Sequence, residues 1–536
     1  MMHSFVDPGD GLTSPVYALE RAVHSGSSGG FGFEHGELSF DQLDEHSNRL
    51  ANLLTEMGVR PGDRVLGLLG NQAETLIAWI AASKLGAVWV PTNTGYRGEW
   101  LRWQVADSEP RLVIAATEYL ERLSSVAEAI PARCPVLYTG PEPVGDHGLP
   151  GLAPLAAYLG MDDACPAYRP RPADLCLLMY TSGTTGRSKG CMISHNYLCN
   201  QARLGLLNLP RSPDEVYYTP LPLFHTAATE IAVATLLCGG SAYFAARFSV
   251  SRFWSDILRS GARACTLLGS MFAMLGHAEP SADMAKAYGQ LHSVAGGPFP
   301  PELQTLWRER FGVTTTRGGV LGLTESHYIC TTIGREERPG SCGSPTEDSY
   351  DVRIFDEADG ELSQGQVGQI VVRPRRPHVM FDGYWRNPEA TAKAFRNLWF
   401  HTGDYGYLDR DGYLFFSDRG NDRLRHGGEN ISSYELELAL SHPDLSEITV
   451  HAVPSSLGED EVKVVAVRKA GARLSEEDLC RWAATLVPRF TVPRYVEFRA
   501  ELPRTPTGKV RKSVLRGEGI TEATWDRTAH DITVPR

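Results

Sequence analysis

The stretch from Tyr180 to Gly190, Tyr-Thr-Ser-Gly-Thr-Thr-Gly-Arg-Ser-Lys-Gly, limits this chain to folds that can hold a glycine-rich loop out to an anion. Gly183, Gly186 and Gly190 let the backbone approach closely. The hydroxyls of Thr181, Ser182, Thr184 and Thr185 can donate to phosphate oxygens, and Lys189 adds a positive charge. The apolar run Leu175 to Tyr180 leads in like a buried strand, and a helical pattern starting near Ser194 leads out. A polar linker would explain neither flank. A Walker loop requires G-x-x-x-x-G-K-[ST]; here Ser188 stands where the second glycine belongs and Gly190 follows the lysine. The loop is therefore a nucleotide-phosphate loop of another kind.

At 536 residues the chain is too long for one ordinary core, and its composition suits a globular protein of at least two domains. A formal net charge of -12 argues against nucleic acid as a partner, because phosphate backbones demand clustered Lys and Arg. Anionic ligands must be gripped locally. The ten cysteines never form C-x-x-C and lack zinc-ligand spacing, which predicts reduced thiols and a cytoplasmic location. Met1 to Thr13 lacks a signal pattern, and no apolar run approaches the roughly 20 residues that span a bilayer, so no membrane partner is expected.

Short apolar runs alternate with amphipathic stretches, which predicts an α/β fold of helices layered on sheets. Asn48 to Met57 and Leu76 to Leu85 read as helices, Arg64 to Leu69 and Ala87 to Pro91 as strands. After about Tyr350 the texture changes to strands joined by turn residues (Asp351 to Phe355, Val367 to Arg373, Tyr413 to Phe416), a β-rich subdomain. A cluster of charge and glycine from Asp418 to Asn430 then precedes a last segment of mixed helix and strand. The expected organisation is a large N-terminal domain over 1–420 and a small mobile α+β domain over 421–536. Two local matches are discounted. Gly26 to Gly30 fits G-x-S-x-G without the strand before and helix after that a nucleophile elbow needs, and Asp409 to Gly412 lacks the later ligands of a calcium loop and reads as a hairpin turn.

The chain resembles the adenylate-forming superfamily of acyl-CoA synthetases, luciferases and peptide-synthetase adenylation domains, over nearly its whole length. The resemblance rests on separated motifs in family order: the loop at 181–190, Leu221 to His225, Gly322 to Glu325, Thr402 to Asp404, Asp418-Arg419 through Gly427 to Asn430, and Pro503 to Lys512. Met380 to Trp385, with Asn387 to Thr391 following, is similar to small-acid CoA ligases of the carnitine and crotonobetaine type.

The resemblance implies two steps. An oxyanion of the substrate attacks the α-phosphorus of ATP and expels pyrophosphate, so charge must be neutralised on both the attacked and the leaving groups. The resemblance gives Thr181, Ser182, Gly183, Thr184, Thr185 and Lys189 the β and γ phosphates, and Thr324 the α-phosphate. Glu325 would hold Mg2+, Asp404 with Arg419 the ribose, and the Gly296-Gly297 turn and Gly322 would face the nucleotide. Lys509 matches the family's mobile catalytic lysine, and His225 would line the acyl pocket and gate access to the adenylate. In the second step the thiol of CoA attacks after the small domain rotates; Asp422 matches the hinge, and Gly427-Gly428 the turn that lines the pantetheine tunnel.

Departures from the pattern bear on substrate more than on fold. Leu321 replaces the usual tyrosine, leaving the adenine only apolar contact. The run Gly312 to Val320, longer than usual, carries Arg317 where the family builds a pocket wall; Arg317 either clamps an anionic group or faces solvent. Ligation of a small acid to CoA is the leading expectation. The alternatives are activation of nitrite as a small oxyanion for transfer to an arylamine acceptor, a carrier-protein-loading adenylation enzyme, and a catalytically dead nucleotide-binding scaffold. Carrier-loading relatives carry Asp after the Phe224 position to hold an α-ammonium, and here it is His225.

Overall fold

The computed structural model describes residues 13–181, 187–297, 299–419, 423–455, 458–504 and 510–530, with the backbone alone for Asp418, Arg419, Arg423, Asn430, Tyr434, Leu438 and Ser513. The chain divides into two compact units: Met1–Thr94, Val105–Met179 and Gly190–Asp418 in the first, and Gly95–Gln104, Tyr180–Lys189 and Arg419–Arg536 in the second. The fold is α/β, as the alternation of runs predicts.

Two seven-stranded sheets build the first unit. One has the order Ala153–Pro154, Val136–Thr139, Leu112–Ala116, Arg64–Leu68, Val88–Pro91, Leu175–Thr181, Lys189–Ser194, parallel as far as Leu175–Thr181. Its inner strands are buried on both faces, Val88–Pro91 and Leu112–Ala116 along their whole length, because helices cover both sides of a parallel sheet. Ala73–Lys84 is such a crossover, buried from Thr75 to Lys84. Helix Phe40–Glu56 starts on a capping box in which Ser39 and Gln42 satisfy each other's backbone N–H.

The second sheet runs Thr315–Arg317, Ser293–Ala295, Ala264–Thr266, Val216–Thr219, Ser241–Phe244, Gly30–Phe33, Gly36–Ser39, parallel until the closing hairpin. Gly26 to Gly30 sits between helix Pro15–His24 and strand Gly30–Phe33, the reverse of a nucleophile elbow. The β-rich region is antiparallel: Tyr350–Phe355, Gly368–Pro374, Trp399–Leu408 and Phe395–Arg396, with Leu414–Arg419 also on Trp399–Leu408. Asp409 closes the turn between the last two long strands by accepting from the backbone N–H of Asp411 and Tyr413, each at 2.9 Å.

The second unit holds a four-stranded sheet, Leu445–Pro454, Asp460–Arg468, Tyr495–Arg499 and Trp525–Asp526, a hairpin Arg423–His426/Glu429–Ser432, and helices Ser433–Ala439, Glu476–Leu486 and Lys512–Glu518. No helix among the described residues is long and apolar enough to cross a membrane.

Candidate active site

Ser194 caps helix His195–Asn208 by accepting from the backbone N–H of Tyr197 at 3.2 Å, and so fixes the root of a buried tyrosine. The Tyr197 hydroxyl donates to the Thr324 carbonyl at 3.0 Å and accepts from the His327 N–H at 2.7 Å, holding the Thr324 turn from both sides. Burial pushes its phenol well above the ordinary value, so it remains a hydroxyl able to do both. Glu325 is 4 % exposed. Its Oε1 accepts from the Tyr384 hydroxyl at 2.8 Å and its carbonyl from the Phe381 N–H at 3.0 Å. The Met380 to Trp385 stretch thus braces the Glu325 carboxyl.

Leu321 and Cys330 exchange backbone hydrogen bonds at 3.2 and 3.3 Å, making Gly322 to Ile329 a closed loop with Leu321 packed on the core at its root. Gly296 has φ +142°, and a Cβ there would lie 1.8 Å from the Leu267 carbonyl oxygen, so only glycine fits. Its N–H donates to the Arg317 carbonyl at 3.0 Å, while Gly297 accepts from the Gly269 N–H at 3.2 Å. Gly296, Gly297 and Arg317 therefore lie together at one end of the second sheet. Arg317 is half-buried and its Nε donates to the Asn208 carbonyl at 3.3 Å, so part of the guanidinium ties down the end of helix His195–Asn208.

Asp404 comes from a separate sheet. Strand Trp399–Leu408 alternates, placing Phe400, Thr402, Asp404 and Gly406 on its buried face. Asp404 is 1 % exposed; its N–H donates to the Thr402 hydroxyl at 3.1 Å, and that hydroxyl donates to the Ile370 carbonyl at 2.7 Å. A carboxylate on the core face of a strand is costly to bury. His225 occupies the N-cap position of helix Thr226–Cys238 without a side-chain capping bond, half-buried, its ring 4.9 Å from that of Phe224.

In the second unit, Thr181 ends its strand and Lys189 opens the next, both half-buried, while Ser182, Gly183, Thr184 and Thr185 lie outside the described residues. Asp422 and Lys509 also lie outside them, and Arg419 is described by its backbone alone. Gly427 and Gly428 form the turn of the hairpin with φ of +61° and +82°. His426, Gly427, Arg489, Phe490 and Arg527 line a cavity of about 440 Å³ there. Among the described residues no group of three or more His, Cys, Asp or Glu side chains is arranged to hold a metal ion.

Reading the sequence missed Tyr197 and Tyr384, which hold the Thr324-Glu325 turn across 127 and 59 positions. The Tyr384 signal was present in the aromatic run Met380 to Trp385; for Tyr197 the Ser194 cap marks only a helix start, and nothing local points to Thr324 or His327.

The AMP-binding enzyme family matches residues 20–385, and the AMP-binding enzyme C-terminal domain matches 437–509. The crotonobetaine/carnitine–CoA ligase of Salmonella choleraesuis (strain SC-B67) is 30 % identical over 493 residues, 90 % of this chain and 93 % of that protein. Among solved structures, the amide bond synthetase McbA from Marinactinospora thermotolerans superposes with a TM-score of 0.81 at 26 % identity, over 94 % of this chain and 99 % of that one. ATP-bound MatB from Rhodopseudomonas palustris does so with a TM-score of 0.66 at 28 % identity, over 94 % and 99 %. With motifs, fold and relatives in agreement, the chain belongs to the AMP-binding enzymes, the family of adenylate-forming acyl-CoA ligases.

Proposed function

We propose that this protein joins a small carboxylic acid to ATP, releasing pyrophosphate, and then passes the acyl group from AMP to the thiol of CoA. The observation that carries the reading is the pair of carboxylates, Glu325 at 4 % and Asp404 at 1 % exposure, each held on a braced backbone. Their roles follow from what an adenylating site requires. Thr181 to Thr185 and Lys189 grip the β and γ phosphates, Thr324 and Lys509 meet the α-phosphate, and Asp404 with Arg419 accepts and orients the ribose.

Mg2+ prefers oxygen ligands and commonly takes one or two carboxylates beside substrate phosphates. The Glu325 carboxylate, with one oxygen already oriented by Tyr384, fits that donor set. The ion would neutralise charge on the phosphates when bound. Gly296, Gly297, Leu321 and Gly322 form the nucleotide-facing edge, and His225 and Arg317 the wall of the acyl pocket.

Domain boundaries at 1–420 and 421–536, with a hinge at Asp422, suit a two-step cycle in which the smaller domain changes partners. Gly427 and Gly428 leave a side-chain-free path for pantetheine. The adjoining cavity, with Arg489, Arg527 and His426, matches the negative charge of a CoA nucleotide. A cytoplasmic setting would supply both CoA and ATP. The name of the Salmonella relative favours CoA as acceptor.

The test is incubation with ATP, Mg2+ and a panel of acids, with and without CoA. AMP and pyrophosphate are expected, with AMP release accelerated by the thiol. Formation of ADP and orthophosphate would sink the reading, and thiol-independent turnover would sink its second step.

A further inference from the structure

Helix Thr226–Cys238 carries one charged side chain, Glu230, and is buried from Ala228 to Cys238, so it has no solvent face on which to place a charge there. Opposite it is Arg211, just beyond helix His195–Asn208. The two side chains are 2 % and 5 % exposed and approach to 3.5 Å, Arg211 Nη2 to Glu230 Oε1. The guanidinium lies on the face of Tyr217, its Cζ 3.6 Å from the ring centroid, and the Tyr217 hydroxyl is 2.5 Å from that of Thr266. Room for the acid comes from Gly205, where a Cβ would fall 2.0 Å from Glu230 Oε1.

Among the described residues, Nε and Nη1 of Arg211 have no hydrogen-bond partner. A buried ion pair kept for stability looks different in this same protein. Lys463 Nζ reaches Glu497 Oε2 at 2.6 Å, the Gly519 carbonyl at 2.7 Å and the Thr524 hydroxyl at 2.8 Å, so all three donors are used. Leaving donors of a buried guanidinium without acceptors costs free energy, and an anion that reached them would recover it. Burial pushes the Glu230 carboxyl up to about 7 against the opposing charge of Arg211, so near neutrality the carboxyl only partly offsets the guanidinium.

The surrounding elements are those that carry the candidate site. Glu230 lies five residues beyond His225, which holds the N-cap position of its helix, roughly 7–8 Å at the α-helical rise. Tyr328, with φ +50° and its hydroxyl facing Glu230, follows Glu325 by three residues. Thr266 is in register with Ala295, next to Gly296. Asn208, whose carbonyl holds Arg317, precedes Arg211 by three residues.

We propose that Arg211, stacked on Tyr217 and opposed by Glu230, is a specificity-determining residue that receives a second carboxylate of the substrate, distal to the one that is adenylated. The substrate class is therefore a dicarboxylic acid. This assignment rests on the adenylation reading above and names its substrate; the guanidinium supplies paired donors to a planar two-oxygen anion.

The test is ATP–pyrophosphate exchange with chain-length-matched pairs, glutarate against valerate and adipate against hexanoate, for the parent, Arg211→Met and Glu230→Gln. Calorimetric titration of the same diacids without nucleotide accompanies it. The parent should prefer a diacid of one length by on the order of 10²-fold or more in kcat/KM. Arg211→Met should erase that preference through KM for the diacid, with exchange on the monoacid falling far less. Parent preference for the monoacid at every length, or an equal loss for both classes in Arg211→Met, overturns the proposal. If Arg211→Met fails to fold, Glu230→Gln decides: it should keep the diacid preference and lose its weakening as pH rises through 7, and loss of the preference overturns the site. Absence of exchange with every acid would remove the adenylation reading instead, and the titrations then decide whether a diacid binds in an Arg211-dependent way.

Discussion

The Tyr384 hydroxyl donates to Glu325 Oε1 at 2.8 Å, and the Tyr384 N–H is itself held by the Thr391 hydroxyl at 2.9 Å. One oxygen of a buried carboxyl is thereby aimed from a segment 59 positions away. If Glu325 meets the metal, Tyr384→Phe leaves the ligand in place but loosens it. The expected loss in exchange rate is about 10-fold, recovered in part by raising Mg2+, because outer-shell partners of metal ligands are worth about 10–100-fold. Glu325→Gln should lose more and not recover. A Tyr384→Phe variant with the parent's Mg2+ dependence would remove the bracing role.

Asp404 gives a prediction with an internal control. If its carboxylate accepts from the ribose, Asp404→Asn should raise KM for ATP by about 10- to 100-fold, since a hydrogen bond to a charged group contributes about 1.5–3 kcal/mol. The same variant should be nearly indifferent to a change from ATP to 2′,3′-dideoxy-ATP, to which the parent should be sensitive. Equal sensitivity in both proteins would place the carboxylate elsewhere.

The fold class and the local setting of several candidate residues were legible from residue order, and the reason is local. Strand Leu175–Thr181 and the cap at Ser194 are written in neighbouring residues, and Asp404 follows Thr402 in a motif that a strand's two-residue period turns inward. Tyr197 was not legible because its partners at Thr324 and His327 are joined to it only by the folded chain. Arg317 stayed open in the sequence for a related reason: whether an arginine clamps a ligand or holds a carbonyl depends on what the fold brings beside it, here Asn208. The lone acid in helix Thr226–Cys238 was legible and went unread; a charge inside an otherwise uncharged helix is the signal that finds Glu230.

Gly296 supplies a stability prediction separate from chemistry. Alanine there must keep φ near +142° and place its Cβ 1.8 Å from the Leu267 carbonyl oxygen, so the backbone has to move. Strain of that kind costs about 1–3 kcal/mol for the dihedral alone, and the overlap adds to it. Gly296→Ala should lower Tm by a few degrees, about 2–5 °C for a unit of this size. Gly297→Ala, whose Cβ would meet nothing nearer than 3.5 Å, should not, and thermal melts of the two variants make the comparison.

Acid stability should depend on the buried pair in the second unit. Burial alone would raise the Glu497 carboxyl, but hydrogen bonds from Lys463, Arg499, Thr521 and Thr524 outweigh it and hold the group down to about 2, against an ordinary 4.5. A carboxyl depressed in the folded state contributes stability that is full above about 4.5 and is lost as pH falls from there towards about 2. Melting temperature should therefore drop across that window. Lys463→Met removes the cation from a site where both side chains are under 5 % exposed, leaving Glu497 with Arg499 as its nearest charge. The expected cost near neutral pH is about 3–5 kcal/mol, and the double variant Lys463→Met/Glu497→Leu should regain most of it, since replacing both members of a buried pair is far milder than breaking it. The single variant should also show a flatter acid limb, because its carboxyl no longer resists protonation as strongly. Thermal melts of the three proteins between pH 2 and 7 measure both effects, and parallel acid limbs for parent and Lys463→Met would show that this pair does not carry the acid sensitivity.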